Sequence, residues 1–79
     1  MKMVEVFRMA IGEEKKAQKL YGEAAEKATD PDIRAMFGQL VRDEREHERL
    51  LREKLEMAER IGEYTSEYDN AKEKGRKKG

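Results

Sequence analysis

The sequence predicts an all-α fold, an antiparallel two-helix hairpin that dimerises into a four-helix bundle. Three observations predict it. Charged residues make up 46% of the chain and there is one proline, a composition that favours long helices. Apolar residues recur every three or four positions along two long segments. No alternating run of β-branched residues indicates a strand.

The first helix is predicted over residues 2–28. A single carboxylate, Glu14, interrupts its apolar face. Gly12 and Gly22 each lower the helix propensity by up to about 1 kcal/mol, and either a close helix contact or an exposed position would explain them. The predicted face consists of Met3, Phe7, Ala10, Glu14, Ala17, Tyr21, Ala24 and Ala28, flanked by Val6, Ile11, Leu20 and Ala25.

The connection between the helices carries a helix-start signal. Asp30 fits the N-cap, Pro31 the first helical position, and Asp32 the positive end of the helix dipole. Because the break is only a few residues long, the two helices must run antiparallel.

The second helix is predicted from Pro31 to at least Ile61, with Gly62 as its end point. Residues 1–62 are therefore predicted to form the hairpin and residues 63–79 a C-terminal extension. The second apolar face is Ile33, Phe37, Leu40, Glu44, His47, Leu51, Lys54, Ala58 and Ile61, flanked by Met36, Val41, Leu50, Leu55 and Met57.

The extension ends in a basic segment, residues 72–79, although the formal net charge of the chain is zero. Such a segment could contact nucleic acid, but a solvated, disordered chain end is the favoured interpretation. No apolar run is long enough for a membrane span or a signal peptide. Neither nucleic acid nor a membrane is therefore expected as a partner, and the cytoplasm is the expected location.

A chain of 79 residues without cysteine has few ways to stabilise a fold. Below roughly 70–80 residues a single core is marginal, and no disulfide can compensate here. Self-association as a homodimer, or as a larger oligomer of dimers, is the expected way to complete the core.

Three polar residues break the apolar faces: Glu14, Glu44 and His47. Glu14 lies 16 residues before Asp30 and Glu44 lies 14 after it, which places them about 24 Å and about 21 Å from the turn. The two carboxylates should therefore lie at nearly the same height. Glu44 and His47, three residues apart, project from one helix face.

This set predicts a metal site that one hairpin cannot complete. Two copies would supply four carboxylates and two imidazoles, the ligand set of di-iron four-helix bundles. Iron suits these donors, and manganese or zinc could substitute. Taken singly, a Glu-x-x-His spacing or a carboxylate in an apolar stripe is usually structural. Their conjunction makes metal binding and a structural role about equally favoured by the pattern alone. Tyr21, seven residues after Glu14, either packs in the bundle or serves the site, and packing is favoured.

The same residues carry a resemblance to the rubrerythrin and ferritin-like superfamily. The segment Ala10-Ile11-Gly12-Glu13-Glu14, followed by Leu20-Tyr21 and Ala24, is similar to that family's first helix. Thr29-Asp30-Pro31 and Glu44-Arg45-Glu46-His47 resemble its turn and second helix. Within the superfamily the chain resembles the two-helix encapsulated ferritin group.

This resemblance implies that Glu14, Glu44 and His47 are the metal-ligand and catalytic positions of a ferroxidase that oxidises Fe(II) for storage or detoxification. It also implies an encapsulin-type shell as a partner and the interior of a protein nanocompartment as a location. Two alternatives remain open: a rubrerythrin-like protein that reduces peroxide, and a non-catalytic helical oligomerisation module. Glu46 and Glu48 are weaker candidates, as an acidic attractor at the entry to the site.

Overall fold

A computed structural model describes residues 2–60 and Gly62. It contains two helices, α1 (Met3–Lys27) and α2 (Pro31–Arg60), which pack against each other. The predicted helical hairpin is confirmed, and no strand occurs in the described residues. Ile61 and the predicted extension, residues 63–79, lie outside the described part of the chain.

The turn forms as its residue types dictate. The Oδ1 atom of Asp30 accepts hydrogen bonds from the backbone N–H groups of Asp32 (2.8 Å) and Ile33 (3.0 Å), so the predicted N-cap is confirmed. The Arg34 guanidinium donates to the carbonyl of Ala28, at 2.8 Å from Nη2. The start of α2 thus satisfies a carbonyl that the end of α1 leaves open.

Gly62 marks the far end of α2, as predicted. Its φ angle of 52° lies in the left-handed region, where a side chain would be strained. Its N–H donates to the carbonyl of Glu59 at 3.0 Å. This is the usual way in which a glycine closes a helix.

The seam between the helices is narrower than the predicted apolar faces. Among the described residues only Val4, Ile11 and Ala58 are buried. Ile11 was predicted to flank the face of α1, whereas Leu20, also predicted as a flank, is 61% exposed. One neighbouring helix covers only one sector of a broad apolar stripe, and the rest of the stripe stays in solvent.

The uncovered part of the stripe forms a row along α2. Met36, Leu50 and Met57 are exposed and are separated by two heptads and one heptad, so they share a face, on which the exposed Asp43 takes the heptad position between Met36 and Leu50. His47, three residues before Leu50, lies in the same row. The large apolar side chains exposed in the described part of the chain are Met9, Leu20, Ile33, Met36, Leu50 and Met57.

Neither α1 nor α2, the two helices of the described region, has a segment long and apolar enough to cross a bilayer.

Candidate metal centre

Glu14, Glu44 and His47 meet midway along the hairpin, as the sequence predicted from their heights. Nδ1 of His47 lies 2.9 Å from Oε1 of Glu44 and 3.6 Å from Oε2 of Glu14. One potential ligand atom from each residue lies within 4.8 Å of the others. No other group of three such side chains within the described residues is close enough to hold a metal ion.

The helices place these side chains in two different environments. Glu14 and Glu44 lie in the seam, with 19% of each side chain exposed. His47 lies at the edge of the seam and is 55% exposed. The carboxylates are therefore partly shielded from water, whereas more than half of the imidazole side chain is open to solvent.

The surroundings of Glu14 disfavour the charge on its carboxylate. Burial and the neighbouring Glu44 carboxyl, which can share a proton with Glu14, together raise the pKa of Glu14 above its usual range. His47 opposes this effect, but the net direction is upward. A cation bound between the two carboxylates would relieve the unfavourable burial of their charge.

The donor set fits a metal of intermediate softness. It combines carboxylate oxygens with imidazole nitrogen and contains no thiolate, which suits iron, manganese or zinc. One hairpin offers three residues, fewer than two metal ions need. Further coordination positions would then remain for a second set of side chains or for small molecules.

A second polar cluster adjoins this site, and sequence reasoning did not identify it. Glu48 lies four residues after Glu44 and is 18% exposed. Its Oε1 atom accepts a hydrogen bond from Nε2 of Gln18 at 2.6 Å, and its Oε2 atom accepts one from Nε of Arg52 at 2.7 Å. A single glutamine belongs to no periodic pattern or motif in the sequence. The cluster therefore becomes apparent only from the side-chain contact between the two helices.

Glu46 and Glu48 both have cationic partners, which bears on their predicted role as an acidic attractor. Hydrogen bonds from Gln18 and Arg52 lower the pKa of Glu48. The hydrogen bond from Arg49 is the main cause of the lowered pKa of Glu46. Both carboxylates are thus held ionised, but each shares its charge with an arginine, which leaves little net attraction for a cation.

Tyr21 packs against Phe37, with ring centroids 6.1 Å apart and ring planes tilted by 30°. This contact agrees with the packing interpretation of Tyr21.

Comparison with known proteins gave one family match. The family model described as Rubrerythrin matches residues 5–77, which include both helices and the three candidate ligands. Searches of curated proteins and of solved structures returned no significant match. The family match covers more than nine-tenths of the chain and agrees with the resemblance found in its motifs. The chain belongs to the rubrerythrin family.

Proposed function

We propose that this protein is a di-iron ferroxidase whose site forms between two copies of the chain. In this proposal Glu14, Glu44 and His47 of each copy bind iron, and Fe(II) is oxidised for storage or detoxification. One observation carries it: the ligand atoms of these three residues, drawn from both helices, converge within 4.8 Å. Membership of the rubrerythrin family supports iron as the metal.

The need for a second copy follows from the number of donors. Two irons in ferritin-like bundles are held by one carboxylate from each of two helices and a Glu-x-x-His pair from each of the other two. One hairpin contains half of that set. A two-fold pairing that joins the uncovered rows around His47 would supply the other half.

The apolar row supplies a driving force for this pairing. Met36, Leu50 and Met57 are 50%, 43% and 45% exposed, and Leu50 is the one nearest to His47, three residues along α2. Fully burying a side chain of this kind contributes about 1.5–3 kcal/mol, so covering the exposed halves on two copies would contribute several kcal/mol. The same contact would also exclude water from the carboxylates of Glu14 and Glu44.

In the proposed reaction the Fe(II) substrate supplies the electrons, and the protein side chains bind and position the iron. Two Fe(II) ions each give one electron to dioxygen, which with two protons yields two Fe(III) ions and hydrogen peroxide. Glu14 and Glu44 hold the substrate by charge, and their negative charge favours the more highly charged product. His47 adds a nitrogen ligand to the two carboxylates, and because its side chain is 55% exposed it leaves the site accessible to dioxygen.

A second candidate is a rubrerythrin-like peroxide-reducing protein, which the family match over residues 5–77 favours. The chain has no cysteine and therefore no thiolate-bound iron centre of its own. A peroxide-reducing cycle would depend on an external electron donor.

Anaerobic titration with Fe(II), followed by exposure to oxygen, tests the proposal. We expect two irons per dimer and a rapid rise in Fe(III) absorbance in air. Fast oxidation by peroxide with slow oxidation by dioxygen, and turnover only with an added reductase, would favour the second candidate.

Two variants separate the site from the scaffold. Glu44→Gln should abolish stoichiometric binding. Glu53→Gln should have no effect, because Glu53 pairs with Arg49 on the exposed part of α2. If the wild-type protein binds no iron, and Glu44→Gln leaves its assembly unchanged, the chain is a structural helical module instead.

The cellular setting remains a prediction of the sequence. We propose the cytoplasm as the compartment, and enclosure in an encapsulin-type shell stays an expectation of the resemblance.

A further inference from the structure

We propose that Gln18 and Glu48 form an interhelical clamp that holds α1 and α2 in the register required by the metal ligands. The inference rests on the proposed function, because it assigns these residues a positioning role for Glu14, Glu44 and His47. The clamp is the hydrogen bond of 2.6 Å from Nε2 of Gln18 to Oε1 of Glu48.

The clamp is placed one helical turn from the ligands on both helices. Gln18 follows Glu14 by four residues, and Glu48 follows Glu44 by four residues. Residues four apart share a helix face, so each clamp residue lies beside a carboxylate ligand in the seam. Because the helices are antiparallel, Gln18 lies one turn nearer the interhelical turn and Glu48 lies one turn farther from it, so their bond crosses the layer of Glu14 and Glu44 diagonally and resists sliding of one helix along the other.

Both oxygens of Glu48 are used, which fixes its orientation. Arg52, four residues further along α2, donates from Nε to Oε2 at 2.7 Å, while Gln18 holds Oε1 from the other helix. A carboxylate held on both sides has little rotamer freedom left. With 18% of its side chain exposed, Glu48 is also shielded from competing water.

Outside the candidate site, few polar side-chain contacts join α1 to α2, which gives the clamp its importance. Within the described residues, the contact of Glu14 with His47 belongs to the site itself, and the other hydrogen bond between side chains of the two helices joins Arg8 to Glu59. That pair is about half-exposed at the open end of the hairpin, where an ion pair contributes little. The apolar seam offers little resistance to sliding, because its buried residues in the described region are Val4, Ile11 and Ala58.

The metal-free site itself works against the register. When Glu14 and Glu44 are both ionised, their like charge favours separation of the helices at this height. The hydrogen bond from Gln18 to the charged Glu48, which crosses this layer, opposes that separation. Binding a metal to a site already held in register costs less than assembling it at the moment of binding.

Titration with Co²⁺ alone, followed by its visible absorption, tests the clamp. We expect Gln18→Ala and Glu48→Ala each to weaken cobalt binding by roughly tenfold, the lower end of the effect of residues that support metal ligands. The cobalt absorption bands should also change shape. The double variant should bind no more weakly than either single variant, because both remove the same contact.

Two further variants distinguish positioning from a general loss of stability. Glu48→Gln keeps an oxygen that accepts from Gln18, so it should bind cobalt within about threefold of wild type. Glu53→Ala is the matched control, because Glu53 also pairs with an arginine but lies on the exposed face of α2. It should leave the cobalt affinity and the cobalt absorption spectrum unchanged. Wild-type cobalt affinity and spectrum in Gln18→Ala and Glu48→Ala would overturn the clamp.

A readout without metal separates failure of the clamp from failure of the proposed function. His47 is the only histidine, so its ring nitrogens give an unambiguous NMR signal. In the metal-free protein at fixed pH, Gln18→Ala should shift this signal and Glu53→Ala should not. If wild type binds neither cobalt nor Fe(II), the proposed function fails. An unchanged His47 signal in Gln18→Ala would overturn the clamp by itself.

Discussion

Glu14 shows how the needs of the proposed metal site and of the fold conflict at one residue. Its carboxylate lies in the seam, 3.6 Å from His47 and next to Glu44, and its pKa is raised mainly by burial. A residue whose pKa is raised on folding binds a proton more tightly in the folded state. Ionised Glu14 therefore reduces the stability of the metal-free protein, and a bound cation would reverse that effect.

We expect Glu14→Gln to stabilise the metal-free protein at pH 7 by roughly 0.5–1 kcal/mol, the size of one relieved charge contact near the surface. The gain should shrink as the pH falls towards about 4, because wild-type Glu14 then becomes protonated and no longer opposes folding. Urea unfolding in the presence of a chelator, at several pH values, measures this. A loss of stability at neutral pH would show that the Glu14 carboxylate supports the fold. Iron binding should be lost in the same variant.

At the scale of the element, α1 contains a glycine that its local surroundings do not require. A Cβ atom added at Gly12 would meet nothing within 4 Å. Gly12→Ala should therefore raise the stability by roughly 0.5–1 kcal/mol through the lower entropy of the unfolded chain. Thermal unfolding followed by circular dichroism measures this change.

Gly62→Ala is the contrasting variant and should destabilise the protein, because the φ angle of 52° at this position strains any side chain. Destabilisation by Gly12→Ala would indicate a close contact with another copy of the chain.

The elements also show which features sequence could predict. The start of α2 at Pro31 and the matched heights of Glu14 and Glu44 follow from local rules, namely capping and a fixed rise per residue. The rotation of each helix about its own axis does not follow from such local rules. A stripe as broad as that of α1 allows several sectors to face the partner, so the burial of Ile11 and the exposure of Leu20 depend on packing. The contact between Gln18 and Glu48 depends on the same rotation.

At the scale of the whole molecule, the hairpin has one covered seam and one uncovered apolar row. The three buried residues of the described region form too small a core for a stable isolated domain. The row of Met36, Leu50 and Met57 runs beside His47, so the surface that would stabilise a pair is also the surface that would complete the site. Assembly, folding and metal binding are therefore expected to be linked.

This linkage makes Leu50 the most informative position for a test. Leu50 is 43% exposed and lies three residues from His47, so Leu50→Glu would place a carboxylate in the middle of the proposed interface. We expect the dimer to dissociate at least tenfold more readily and stoichiometric iron binding to be lost with it, because burial of an unpaired charge is unfavourable. Sedimentation velocity over a range of protein concentrations, combined with Fe(II) titration, measures both. Ala35→Glu, an apolar-to-glutamate change at an exposed position of α2 outside this row, is the matched control and should leave both unchanged. A Leu50→Glu protein that remains dimeric and binds two irons would place the interface elsewhere, and a monomer that still binds two irons would show that one hairpin suffices.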